Sequence, residues 1–230
     1  MTLVRSFSMK LSLPLPDFVA YVQKQFYSFF PDRLEPESDL APLIQEAINQ
    51  VAHSFGRSRM KFAFDDEGPT FNHRNTDQYA LFLCFLAQAA CQAGVVAVAE
   101  KAYAMNKALH GLDVFYEIAL PRIMAFAHPV GTVLGRGSFG DYLCVYQGVT
   151  IGANLDEIYP TIGRGVVLYA GSAVMGDSRI GDNCLIAAGA LIMDTIVPDN
   201  HVCFGRHPDI VMKPTRRNVV RDIFHHDEEG

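Results

Sequence analysis

The chain has 230 residues, half of them hydrophobic and 19% charged, with a formal net charge of −6. That composition supplies apolar side chains for one large core or two modest ones and excludes a disordered chain. An acidic sequence without a basic block also argues against nucleic acid as a partner.

The opening stretch MTLVRSFSMKLSLPLPDF breaks its apolar residues with Ser, Lys and Pro, unlike the continuous apolar segment of a signal peptide. No window of 18 apolar residues exists, so no membrane-spanning helix and no membrane partner are expected. Five cysteines without a C-x-x-C spacing suit the reduced thiols of a cytoplasmic protein.

In chain order, residues 17–30 and 39–55 place apolar side chains at helical spacing, and Gly56 is a natural stop. After a polar, irregular stretch, Asn75 with Gln78 reads as a capping box opening a helix that runs to Ala93. Gly94 breaks it, and a further helix runs from about Val96 to His110, closed by Gly111. The run YALFLCFLAQAACQAGVVAVA is too apolar for a one-sided surface helix and belongs at the centre of a helical domain or at an interface.

Beyond Gly111 helix formers give way to Gly, Val, Ile and Asp with a period of six. Within the span Val133 to Ile196 the register is Val133, Phe139, Val145 and Ile151, then Ile162, Leu168, Val174, Ile180, Ile186 and Ile192. Neither a helix nor an alternating strand has that period, whereas a β-helix with three short faces per coil does. One slip of eleven residues separates Ile151 from Ile162, read as a loop at 157–161 projecting from a corner. Pro198-Asp199-Asn200 reads as the end of the repeat, and residues 214–230 as a tail with one short helix. The fold class is therefore α+β: an all-helical domain over 1–111, then a left-handed parallel β-helix over 112–213.

The segment His128-Pro-Val-Gly-Thr-Val-Leu-Gly135, followed by Val145-Tyr-Gln-Gly-Val-Thr-Ile-Gly152, resembles the serine acetyltransferase branch of the hexapeptide acyltransferases. Leu168-Tyr-Ala170-Gly171-Ser and Ile186-Ala-Ala188-Gly189-Ala look like that family's paired small-residue coils. The resemblance implies acetyl transfer from acetyl-CoA to a small hydroxyl acceptor, with His128 as general base. Imidazole, with an unperturbed pKa near ~6.5, suits that step at neutral pH. A partner acid should orient it; Glu117, eleven residues upstream, and Asp113, fifteen upstream, are the two candidates.

By the same resemblance the pantetheine arm would run past Ala170, Gly171, Ala188 and Gly189. Gly152 would lie near the oxyanion, and Arg206 and Lys213 near the CoA phosphates. The family's trimers, or hexamers built from two trimers, are the implied assembly. One departure leaves the acceptor open. The family's Arg-His-Pro loop is replaced by Ile158-Tyr159-Pro160, so the acceptor is L-serine or, for an O- or N-acetyltransferase of polysaccharide biosynthesis, a sugar, amino-sugar or sugar nucleotide. Arg74, Arg122 and Arg136 are the remaining cations that could serve a carboxylate. A non-catalytic scaffold is the reading from another class. The carbonic anhydrase-like metal chemistry also found on such coils needs converging histidines, and residues 133–197 hold none, so no metal is expected.

Overall fold

A computed structural model describes residues 9–32, 40–66 and 68–225. Four helices form the first layer: α1 (Leu15–Phe29), α2 (Leu40–Phe55), α3 (Thr76–Gln92) and α4 (Val96–His110). In α1 the buried residues Phe18, Val22 and Phe26 fall four apart, a one-sided stripe. In α3 burial extends from Gln78 through Ala87 without a polar face, so this helix lies at the centre, as its apolar run predicts.

Asn75 caps α3, its side chain accepting the backbone N–H groups of Asp77 and Gln78. The reciprocal half of the expected box does not form. Gln78 Oε1 instead accepts the N–H of Asn72 at 2.5 Å, because the chain before the cap folds back over the helix start. α4 ends at Gly111 with φ 62°, a left-handed cap that glycine adopts without steric cost.

The first region is not all-helical. Lys10–Leu11, Gly68–Phe71 and Phe64–Asp65 form a three-stranded sheet beside the helices. Strands of two to four residues are too short to leave a periodic signature, which is why the sequence reads there as irregular.

From Asp113 onward the chain winds as a parallel β-helix with three faces. The first face stacks Ser138–Phe139, Thr161–Ile162, Arg179–Ile180 and Ile196–Val197. The second stacks Met124–Ala127, Leu143–Tyr146, Val167–Leu168, Leu185–Ile186 and His201–Arg206. The third stacks Asp113–Val114, Val133–Leu134, Thr150–Gly152, Ala173–Met175 and Leu191–Met193. Val145, Ile151, Ile162, Leu168, Val174, Ile180, Ile186 and Ile192 fill the interior, none more than 2% exposed.

The register is right at the centre and shifted by one at both ends. Leu134, 1% exposed, faces inward, and Val133 is 39% exposed. At the far end Val197 is buried at 1% and Ile196 is 65% exposed. Leu134 pairs with Ile151 and Ile180 with Val197, so each of these coils is one residue short of three hexads. At both ends two aliphatic residues are adjacent, and the shortened coil turns the second of them inward. Val197→Ala should therefore destabilise by about 2 kcal/mol, from lost transfer energy and a cavity. Ile196→Ala should stay within about 0.5 kcal/mol. Urea midpoints of the two variants measure this, and equal losses would restore the unbroken six-residue register.

The projecting loop is real but begins earlier than expected. Residues 153–160 leave the column, and Thr161 is already back in a strand. Thr150 and Thr161 keep their parallel partners Ala173 and Ser138, so the insertion does not interrupt pairing. Pro198-Asp199-Asn200 does not end the column either. Asn200, with φ 60°, turns a corner like Gly165 and Asn183 in earlier coils. The chain then pairs as His201–Arg206 before the antiparallel strand Asp209–Pro214 folds back on it.

The column is closed below by helices. Buried Ser54 of α2 accepts the N–H of Met124 at 2.9 Å and donates to the carbonyl of the same residue at 2.5 Å. One apolar cluster runs from Phe18 through Met124 to Ile192. In the tail, α5 (Val219–Ile223) lays Val219, Val220 and Phe224 against Ala125, Cys144 and Val167 on the outside of the second face. The acidic end, 226–230, lies outside the described residues. Among the described residues no helix is long and apolar enough to cross a membrane.

Candidate active site

After each of the first four strands of the second face the chain turns one corner, and these corners stack. Gly131, Gly148, Gly171 and Gly189 occupy equivalent positions, all with φ between 65° and 73°. That left-handed conformation strains any residue with a Cβ. A ladder joins them: Gly148 N–H donates to Val130 O at 3.0 Å, Gly171 to Gln147 O at 2.8 Å, and Gly189 to Ala170 O at 2.9 Å. Ala170-Gly171 and Ala188-Gly189 thus lie one above the other. A Cβ built on Gly171 or Gly189 would meet nothing within 4 Å, so this edge is open.

His128 is the first residue of the lowest of these turns, directly after strand Met124–Ala127. At the upper end Arg206 Nη1 donates to Gly189 O at 3.0 Å. Coils rise by about 4.8 Å each, which puts the Gly189 turn about 14 Å above the His128 turn. One edge therefore carries the candidate base, a path of small turns and a cation.

The structure places the other two expected residues elsewhere. Gly152 lies at the far end of the third face, where the 153–160 loop departs, and its Cβ position would meet Met175 Sδ at 3.2 Å. Lys213 sits on the last strand, its ammonium 5.5 Å from the centroid of the Phe204 ring.

His128 itself has φ 53°, rare for a residue with a side chain. Its imidazole is 80% exposed. Its backbone N–H donates to Asp77 Oδ2 at 3.0 Å, and the same oxygen lies 3.6 Å from His128 Nδ1. Asp77 is in the first turn of α3 and is only 13% exposed.

Behind it lies His110, whose Nδ1 is 2.7 Å from Asn106 Oδ1. The Asn106 amide donates to Ala80 O and to Cys84 Sγ, so its oxygen is the acceptor and His110 Nδ1 carries the proton. Burial holds His110 below the usual histidine range, against the opposing pull of the Asp77 carboxylate.

Neither carboxylate expected beside His128 is found there. Glu117 Oε2 faces Arg136 Nη2 at 3.4 Å. Asp113 accepts from Tyr103 at 2.8 Å and pairs with Lys107 at 2.5 Å. Burial alone would raise the Asp113 carboxyl, but Lys107 and Tyr103 outweigh it and hold it below its ordinary value. Asp77 escapes sequence reasoning because it lies 51 residues before His128, in a different layer. Its one legible feature is its place in the first turn after the Asn75 cap.

Of the three candidate arginines, Arg136 is engaged with Glu117. Arg122 lines a cavity of about 300 Å³ with Glu46 and Gln50. Arg74 is exposed in the turn three residues before Asp77. The loop 153–160 carries no basic residue, and its Leu155, Ile158 and Tyr159 face solvent. Cys84 and Cys144 are buried, and burial pushes both thiols up to about 12, far from a nucleophilic thiolate. Among the described residues no three His, Cys, Asp or Glu side chains are grouped to hold a metal.

Comparison with known proteins returns the resemblance read from the motifs. Residues 159–193 match the family described as bacterial transferase hexapeptide (six repeats). The chain is 31% identical over 99 residues to a serine acetyltransferase of Synechococcus elongatus, covering 41% of each chain. It is 28% identical over 136 residues to one of Helicobacter pylori, covering 57% of this chain and 79% of that relative. The chain spans about half the length of the first curated relatives it matches. Among solved structures, the serine acetyltransferase of Vibrio cholerae superposes with a TM-score of 0.61 at 17% identity, over 87% of this chain and 73% of that one. The Brucella abortus enzyme in complex with coenzyme A gives 0.60 at 18% identity, over 86% and 75%. At these identities the likeness to solved structures carries the fold: helices followed by a parallel β-helix.

Proposed function

We propose that this chain is an acetyl-CoA-dependent O-acetyltransferase with His128 as general base. The observation that carries the reading is the shared edge: His128 at its base, the open Ala170-Gly171 and Ala188-Gly189 turns above it, and Arg206 on the Gly189 carbonyl. The relatives named serine acetyltransferase, and the solved one bound to coenzyme A, support the same donor.

His128 takes the proton from an acceptor hydroxyl as its oxygen bonds to the thioester carbonyl carbon. Backbone N–H groups at the turns are the available donors for the oxyanion that forms. When it collapses, the carbon–sulfur bond breaks and the leaving thiolate takes up the proton, giving an acetyl ester and free CoA. No acyl-enzyme is needed, consistent with the burial of Cys84, Cys144, Cys184 and Cys203. Columns packed side by side in a trimer would give this edge a second wall.

L-serine is the acceptor that the relatives' names suggest. The absence of any cation on the 153–160 loop favours a neutral sugar hydroxyl as the second reading. Free-thiol release from acetyl-CoA, measured over a panel with L-serine first and sugars after, is expected to rise with one acceptor class. Release with none of them would make the column a scaffold.

A further inference from the structure

The carboxylate nearest His128 comes from the helical layer, not from the column. Asp77 Oδ2 accepts the His128 backbone N–H at 3.0 Å and so holds the corner where this residue adopts φ 53°. The same oxygen is 3.6 Å from Nδ1, within ion-pair reach and one small side-chain adjustment from a hydrogen bond. In free enzymes such contacts are often long and tighten when substrate binds.

Asp77 is itself held. Asn75 accepts the Asp77 N–H at 3.1 Å, fixing the first turn of α3, whose positive end favours a negative charge. The carboxylate is mostly buried, while the imidazole it faces is open on its other side. Asp113 and Glu117 are both engaged by cations of their own.

We infer that Asp77 is the positioning residue of the site. It fixes the His128 turn through the backbone and draws the Nδ1–H tautomer toward itself, which leaves Nε2 unprotonated and directed outward as the base. This rests on the reading of His128 as the base, but the first arm of its test does not depend on any acceptor. It makes the helical layer part of the reacting centre rather than a support for it.

The experiment is ring ¹⁵N spectroscopy of the labelled protein at alkaline pH, with the His128 signals identified by their loss in His128→Gln. The wild-type protein should show His128 as the Nδ1–H tautomer. Asp77→Asn should lose that preference and Asp77→Glu should regain part of it, with thermal melts confirming that both variants fold. An unchanged His128 tautomer in Asp77→Asn would overturn the proposal.

Turnover with acetyl-CoA and L-serine is the second arm. Asp77→Asn should lower kcat by roughly 10²-fold or more, the scale of an imidazole losing the carboxylate that sets its tautomer. The KM for acetyl-CoA should hold, and Asp77→Asn/His128→Ala should be no slower than His128→Ala, since the two residues act as a unit. Additive losses would make Asp77 merely structural. Full activity in His128→Ala would instead remove the base itself, a result distinct from an unchanged tautomer.

Discussion

Replacing His128 by alanine is expected to lower turnover of acetyl-CoA and a hydroxyl acceptor by about 10²–10⁴-fold, the usual loss for a general base. Affinity for CoA should change little. The turns proposed to receive the cofactor lie coils above His128 and offer backbone groups, which an alanine at the base of the edge leaves in place. Steady-state kinetics combined with calorimetric titration of CoA separates the two effects. Normal turnover would exclude His128 as base. A parallel collapse of CoA binding would make it a binding residue. Its 80% exposure makes a folding defect a poor rival explanation, since truncating an exposed side chain leaves no cavity.

The largest effect on stability should come from Leu168→Ala, at about 2–5 kcal/mol. Leu168 is fully buried, paired in register with Val145 below and Ile186 above, both also fully buried. The cost should fall toward the upper end of that range because the site cannot collapse. Tyr169 N–H donates to Ile186 O at 3.0 Å and Val167 N–H to Cys184 O at 2.9 Å, so the coils are held apart by their own ladder. Chemical denaturation would show a lowered midpoint with an unchanged slope. A loss below 1 kcal/mol would mean that neighbouring coils close over the gap.

How much of this was legible depends on the range of each interaction. A coil interior must be filled by a residue of one size at each face, so Leu168, Val174, Ile180 and Ile186 print their spacing directly on the chain. Corners print themselves too, because left-handed turns select residues such as Gly171, Gly189, Asn183 and Asn200. The two ends blurred because Val133-Leu134 and Ile196-Val197 each offer two aliphatic side chains for one inward slot. The small sheet of Lys10–Leu11, Phe64–Asp65 and Gly68–Phe71 was invisible because two to four residues carry no period. His128, the proposed base, was singled out through flanking residues that belong to its own turn. Asp77 was not, because nothing local marks an acid on one layer that meets a histidine on another. Glu117 and Asp113 were the carboxylates that proximity in sequence supplied, and each found a cation instead.

The two ends of the column bear on how the protein stays discrete. A stack of parallel strands presents unpaired N–H and C=O groups at its first and last rungs, an invitation to further chains and, repeated, to a fibre. Here the lower rung Met124–Ala127 is covered by α2 and α3, with Ser54 occupying backbone groups of Met124. At the top, Asp209–Pro214 runs antiparallel to His201–Arg206, so the outermost strand opposes the direction in which another coil would add. That strand carries Lys213 and ends in Pro214, which has no N–H to offer. The helices and the hairpin thus work as stoppers, and a column whose interior would serve equally well in an endless filament is confined to a single particle.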